Sequence, residues 1–529
     1  MAVDAEPEEK IELRRDVTVW GSYMWGYADV GADIYVALGI VIAAAQGMAN
    51  LAFALAGLVY IMVGLAYTEL ASAYPVAGGG QYFTLRGLGD FWANVTGSAL
   101  LLDYTIDIAL FAVASVGYLN FFWPFFSGHP YPKLVWHVGA IHVYDPILIF
   151  EALVLIVFLI WLNMRGIRES SLFNEIVGGI DIITETLIVV FGFTFAWRPE
   201  LLVSQFTETL HHFSLHNFAY GSSLAIISFV GLESISQAAQ ETRRPATIIP
   251  RTSLTLIFTV FIFAVGFSNV ALGLQHWTEI AKRMNDPVAF LAHNIPYIGL
   301  LAGPMAAALG MTILAISANS GVMSASRLTF SMSQFKLAPK WLDAVHKKYH
   351  TPYRTIIIFS ALAVIFVLSS GLTPKILDTL GNMYAFGATL GYILVFISLI
   401  VLRFKDPYTP RPYKVPVNLP VKIKGRAVNV PLLAFLGTLG VSTIFVEVVY
   451  THTIGRIAGP SWVLVCIGLY LIYRKRMGLP LFGSLPRNWE KDQEAVLRSA
   501  EEFDLLEQYK LALRERDKLE NGERRHRSN

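Results

Sequence analysis

The chain is poor in charge. Only 15% of its 529 residues are Asp, Glu, Lys or Arg, against about a quarter in ordinary soluble proteins. With 54% hydrophobic residues, it carries more apolar surface than a water-soluble fold can cover. It has a single cysteine, Cys466, which excludes an intrachain disulfide and a cysteine-ligated metal cluster. It lacks a phosphate-binding loop, because Gly78-Gly79-Gly80 is not followed by Lys and Ser/Thr. Direct use of ATP through such a loop is therefore excluded, and an ion gradient is the expected power source. No zinc-type His/Glu spacing and no nucleophile elbow is present, so the expectation is a non-enzyme without a cofactor. The formal net charge of +2 hides a strong asymmetry along the chain and implies no nucleic-acid partner. A cleavable signal pattern is missing too: the first apolar run is too long for one.

What the chain does have is long apolar runs. Runs of about 20 residues match a hydrocarbon core of roughly 30 Å, and in lipid such runs must be helices. The runs predict an all-α membrane protein with about twelve spans. Spans 1 to 4 are read at Val19–Ala45, Leu51–Ser72, Phe91–Phe122 and Ile147–Met164. Spans 5 to 8 follow at Leu172–Trp197, Phe218–Gln240, Leu254–Leu274 and Ile298–Thr329. Spans 9 to 12 are Thr355–Ser369, Leu377–Leu402, Pro431–Val449 and Trp462–Tyr473. With the N-terminus inside, the inner segments before the tail hold about 22 Lys and Arg and the outer loops about 6. That bias places both termini in the cytoplasm of a multi-pass protein of the cell membrane.

The chain divides accordingly into an N-terminal segment (1–18), a transporter core (19–402), a basic loop (403–430), two further spans (431–473) and a charged tail (474–529). Trp489–Lys518 has helical composition, fitting either a regulatory, partner-binding helix or a solvated helix packed weakly on the inner face. Phe121-Phe122-Trp123 and Phe125-Phe126 read as an interface belt. The pairs His137/His142 and His211/His212 read as solvated loop residues.

Polar residues inside apolar runs are expensive and mark function. Span 1 loses apolar character at Gly31-Ala32-Asp33 and span 6 at Phe229-Val230-Gly231-Leu232-Glu233. The two are offset by five spans, the pattern of inverted repeats whose broken helices meet at mid-membrane. Small residues let a backbone unwind and approach a ligand. Asp103 and Asp107 in span 3 are four apart and share a helix face. Two such carboxyls out of water seldom both ionise, which suits a proton-coupling device. Asp181 and Glu185 in span 5 repeat that spacing. Ser317, Asn319 and Ser320 in span 8 offer oxygen ligands, readable as a cation site or as ordinary interhelical hydrogen bonding.

Several motifs carry a family resemblance. Phe229-Val230-Gly231-Leu232-Glu233, followed by Gln240-Glu241-Thr242-Arg243-Arg244-Pro245 and Ile249-Pro250-Arg251, resembles the span 6 signature of the amino acid–polyamine–organocation transporter superfamily. Gly31-Ala32-Asp33-Ile34-Tyr35 sits where that family has Gly-small-Gly-aliphatic-Phe. Tyr67-Thr68-Glu69-Leu70, Tyr74-Pro75 and Gly78-Gly79-Gly80-Gln81-Tyr82 are similar to its end of span 2 and following loop. The resemblance implies a five-plus-five inverted-repeat fold with discontinuous spans 1 and 6 and two extra spans. It implies substrate contacts at Gly31, Ala32, Asp33, Tyr35, Phe229, Val230 and Gly231, with Phe229 as a gate. Tyr104 and Tyr384 are the implied side-chain contacts from spans 3 and 10. Glu233 becomes a coupling or structural carboxylate, and Asp181 falls near a position where some members carry a lysine in place of sodium.

Asp33 departs from the pattern, since it replaces the second glycine. A fixed carboxylate there repels a substrate carboxylate unless it is protonated or paired with a cation. Asp33 and the Asp-Tyr pair Asp103-Tyr104 also resemble the potassium-importing branch of the superfamily. The expectation is a permease moving an amino acid or related amine by alternating access. Proton coupling is expected through Asp33, Asp103, Asp107, Asp181 or Glu233, with Na⁺ or K⁺ as other ions, in a monomer or homodimer. A potassium or polyamine importer of the same fold and a nutrient sensor without transport remain the alternatives.

Overall fold

A backbone that has no water to bond must bond within its own segment, and the apolar runs do so. The computed structural model describes residues 17–122, 135–138, 141–165, 168–240, 242–346, 348–349, 351–423 and 426–528. The N-terminal segment up to residue 16, the aromatic residues Trp123, Phe125 and Phe126, and Glu241 lie outside the described residues. Among those described, eleven helical stretches are long and apolar enough to cross a membrane. The first, Val19–Ala73, has 55 residues, about 80 Å of helix at 1.5 Å per residue. That is more than twice the hydrocarbon thickness. Gln46, at φ 56°, interrupts it at Gln46–Met48, so this stretch holds two crossings and the described residues make twelve spans.

Span 1 consists of Val19–Val30 and Ile34–Ala45, span 2 of Ala49–Ala73, and span 3 of Asp90–Leu119. Span 4 is Pro146–Arg165; span 5 is Arg168–Phe191, closed by a π-helical turn at Gly192–Ala196. Span 6 is Leu215–Ala225 with a tight turn Ile226–Phe229, then a short helix Glu233–Gln237. Spans 7 to 10 are Pro245–Leu274, Gly299–Gln334, Tyr353–Ser370 and Ile376–Lys405. Spans 11 and 12 are Leu432–Thr451 and Thr453–Arg476. Span 12 starts nine residues before its most apolar stretch because its first turns carry Gly455, Gly459 and Pro460. Span 7 likewise starts early, with Pro245 in its first turn, where a missing N–H costs nothing. Two hairpins, Val135–Val138 with Ile141–Tyr144 and Asn418–Ile423 with Arg426–Pro431, lie in connections. The first brings His137 and His142 together, Nδ1 to Nδ1 at 2.6 Å, both exposed in a connection as solvated loop residues. His211 ends a helix, Pro199–His211.

Contacts sort the connections into two ends. At the end carrying the basic clusters, Thr351 donates to Met164 O, and Arg403 and Arg411 bond Glu69. At the other, the Tyr144 N–H reaches Gly371 O, Arg198 reaches Leu274 O, and Ile40, Tyr220, Thr373, Asp378 and Thr451 line a cavity of about 560 Å³. Span 3 is buried all round from Ala93 to Tyr118, as a helix without a polar face must be. Spans 8 and 10 pack along it, and span 7 packs along span 2. Close approach needs small residues. A Cβ on Gly387 of span 10 would lie 2.8 Å from the Asp103 nitrogen.

The tail is two helices, Trp489–Ser499 and Phe503–Ser528, parted at Glu501 with φ 57°. Its first helix is docked: Gln493 is 1% exposed and donates to Ala73 O at 3.0 Å.

Candidate functional site

The two interrupted spans meet. Gly231 sits at φ 119° after an extended Val230, a conformation that favours glycine. A Cβ there would lie 2.9 Å from the Val30 nitrogen and 3.1 Å from the Asp29 carboxyl carbon. Span 6 is genuinely unwound at this point. Its Gly231 N–H turns to the Glu233 carboxylate at 3.1 Å, and Tyr392 of span 10 donates to the same oxygen at 2.9 Å. Glu233 thus holds the break open, its other oxygen having no partner among the described residues. Phe229 is fully buried and stacks on Tyr60 at 5.1 Å.

Span 1 is different from the expected unwinding. Its break is tightened: the Asp33 and Tyr35 N–H groups bond the carbonyls three residues back, at 3.4 and 3.1 Å. Gly31 stays right-handed, and a Cβ on it would lie 2.6 Å from Tyr27 O. Gly31, Ala32 and Asp33 therefore form a narrow turn between two half-helices, all of it buried.

Five carboxyls surround this junction: Asp29 and Asp33 from span 1, Asp103 and Asp107 from span 3, and Glu233 from span 6. Each is buried and acts electrostatically on others of the set. Both oxygens of Asp33 lack hydrogen-bond partners among the described residues, and the Asp103 carboxyl lies against that of Glu233. Asp107 lies against span 8, where a Cβ on Gly321 would come within 2.5 Å of its carboxylate, and Tyr384 of span 10 hydrogen-bonds it. Tyr104 accepts from Gln237 Nε2 at 3.1 Å. No ion pair involves any of the five carboxyls among the described residues, and no group of three or more acids and histidines converges tightly enough to hold a metal ion.

The expected oxygen face of span 8 is split. Ser317 donates to Asp29 O at 3.3 Å, and Ser317, Ser320 and Ser234 surround the Asp29 carboxyl. Asn319 is elsewhere, accepting from Asn163 of span 4 at 2.6 Å. At 3.6 residues per turn, 317 and 320 share a face and 319 points well away.

Asp181 is not part of this group either. With Glu185 it forms a second acid pocket on the opposite side of span 1. Tyr35 donates to Asp181 at 2.6 Å; Tyr27 donates to Glu185 at 2.7 Å and lies 3.2 Å from Asp181. The two tyrosines come from either side of the span 1 break. Tyr35 is accordingly a ligand of the acid pocket rather than of the central junction. Three residues of the junction escaped the sequence reading: Asp29, Tyr60 and Tyr392. Asp29 was legible, being four residues before Asp33, the spacing that singled out the other acid pairs.

A family profile described as Amino acid permease matches residues 19–472. The branched-chain amino acid permease BcaP of Bacillus subtilis (strain 168) is 27% identical over 474 residues, 88% of this chain and 94% of its own. The vacuolar cationic amino acid transporter 8 of Arabidopsis thaliana is 24% identical over 500 residues, 91% of this chain and 78% of its own. The methylthioribose transporter of Bacillus subtilis (strain 168) is 25% identical over 397 residues, 73% of this chain and 80% of its own.

Proposed function

The chain belongs to the amino acid permease family and is a membrane transporter of amino acids or related substrates; on that premise we propose that its substrate carries a net positive charge, as a cationic amino acid or a polyamine does, and moves by proton-coupled alternating access. The observation that carries this reading is Asp33, a fully buried carboxyl with both oxygens unpartnered at the junction of spans 1 and 6. Four more carboxyls surround it, with no Lys or Arg paired to any of them among the described residues. Carboxyls crowded out of water cannot all hold charge at once. A cationic ligand or protons must supply the balance, so substrate and proton compete for, or succeed one another on, the same acids. The relatives are named for branched-chain amino acids, cationic amino acids and methylthioribose; the buried charge at the site supports the cationic class here.

The Asp181–Glu185 pocket is a second proposed proton site, beside the junction acids. Its tyrosine partners Tyr27 and Tyr35 straddle the break in span 1, so neutralising Asp181 would weaken the tie that fixes the two half-helices relative to each other. Such a change shifts the balance between two states of the carrier. The end of the bundle that bears the basic clusters faces the cytoplasm, by the bias of Lys and Arg.

Thermal stability of the purified protein tests the substrate reading, since a ligand that binds the native state raises Tm by mass action. The panel is L-lysine, L-arginine, putrescine, L-leucine, K⁺ and Na⁺, on wild type and Asp33→Asn. The expected result is stabilisation by lysine, arginine or putrescine that Asp33→Asn removes. Stabilisation by leucine alone, surviving Asp33→Asn, would sink the proposal. Stabilisation by K⁺ alone, lost in Asp33→Asn, would replace the amine by an alkali ion.

A further inference from the structure

The start of the C-terminal tail ties together the two groups of spans that inward opening must separate. Spans 2 and 7 pack along one another, as do spans 3 and 8. The broken span 1 lies between the groups, its first half against span 7 and span 8. At the cytoplasmic end the tail touches both. On the span 3 and 8 side its anchor is a buried charge network. Asp90, at the start of span 3, receives Arg474 at 2.8 Å and Arg487 at 2.5 Å, and Arg487 also reaches Phe335 O beyond span 8 at 2.9 Å. Arg474, at the end of span 12, and Asp90 are 0% exposed, and Arg487, which carries the tail's own charge to Asp90, is 12% exposed.

On the span 2 and 7 side the anchors are backbone hydrogen bonds. Gln493 donates to Ala73 O at 3.0 Å, at the end of span 2, and Glu502 accepts from Ala246 N–H at 3.1 Å, at the start of span 7. Between the two anchor sets lies Arg86, from the segment joining spans 2 and 3. It bonds Asp406 at 2.7 Å and the Gln493 amide oxygen at 3.1 Å, and sits 5.4 Å from the Trp489 ring.

We propose that residues 486–502 are an intramolecular latch: fixed to spans 3 and 8 by charge, it holds the cytoplasmic side closed through Gln493 and Glu502, and it must release spans 2 and 7 for each inward opening. The asymmetry gives the direction of release. Breaking a buried ion pair by withdrawing one partner strands a charge, whereas two hydrogen bonds to backbone are each worth little net. The tail therefore stays with spans 3 and 8. The inference rests on the alternating-access reading above, and its test reads gate opening rather than substrate.

Ser331 of span 8 is 2% exposed and donates to Ala77 O at 2.9 Å, beneath the segment that the latch holds. In full-length Cys466→Ser protein carrying Ser331→Cys, a membrane-impermeant maleimide added to inside-out vesicles reports cytoplasmic opening. Adding Gln493→Ala with Glu502→Ala is expected to raise the labelling rate about tenfold or more, the effect of losing the hydrogen bonds to Ala73 and Ala246 and the one from Arg86, with Asp90, Arg474 and Arg487 intact. If that double variant fails to fold, the opposite one decides. Ala73→Cys with Gln493→Cys, oxidised, ties the latch to span 2 and should suppress labelling until a reductant restores it. Equal labelling in wild-type, loosened and tied proteins would overturn the latch while leaving alternating access standing. No labelling in any of them, with substrate or without, would overturn both.

Discussion

Single side chains carry most of the chemistry, and single substitutions expose it. Gly231 combines a positive φ with a contact that leaves no room for a methyl group. Alanine there is strained by about 1–3 kcal/mol and pushes span 6 away from Val30 and Asp29. Gly231→Ala is therefore expected to lower Tm by several degrees and to abolish stabilisation by any substrate; an unchanged Tm and ligand response would show that the two breaks do not need this close contact. The same residue shows what sequence can and cannot give. The glycine, the acids and their four-residue spacings are visible in the chain. What a hydroxyl or carboxyl faces depends on which helix lies opposite. Thus Asn319 was grouped with Ser317 and Ser320 by proximity in sequence but faces Asn163 of span 4, and Asp181, paired with Glu185 by spacing, meets Tyr27 and Tyr35 of span 1.

At the scale of elements, the apolar runs located the twelve spans because lipid demands it, and missed their ends because ends are set by capping, glycine and proline. The connection between spans 11 and 12 is such an end. His452 there is 1% exposed, with its Nε2 at 2.8 Å from Ser223 Oγ and its ring edge-on to Tyr220. Burial pushes it down to about 3 from 6.5; a backbone contact at Asn382 raises it and His216 nearby lowers it. Protonation thus favours the unfolded chain. The stability His452 contributes is complete above about pH 6.5 and is lost progressively as pH falls towards about 3. Between pH 7.5 and pH 5 that loss is about 2 kcal/mol, from 1.36 kcal/mol per unit over the interval below 6.5. His452→Gln should flatten the fall in Tm over this interval relative to wild type; parallel curves would mean that the histidine is protonated in the folded protein.

For the whole molecule, fold and family were legible from the order of motifs between Val19 and Leu402, and the tail was not. Its composition announced helix, but docking depends on Asp90, Ala73 and Ala246, which are hundreds of residues away in sequence. The central claim is that buried carboxyls at the junction of spans 1 and 6 bind a cationic amine and trade it against protons. The direct measurement is uptake of labelled L-lysine into proteoliposomes under an imposed pH gradient, acid outside, with L-leucine as the neutral control. The account predicts lysine uptake that the gradient accelerates, that excess putrescine or arginine inhibits, and that Asp33→Asn reduces at least a hundredfold while leucine stays at the level of empty vesicles. Gradient-driven leucine uptake undiminished by Asp33→Asn, with no lysine uptake, would contradict it.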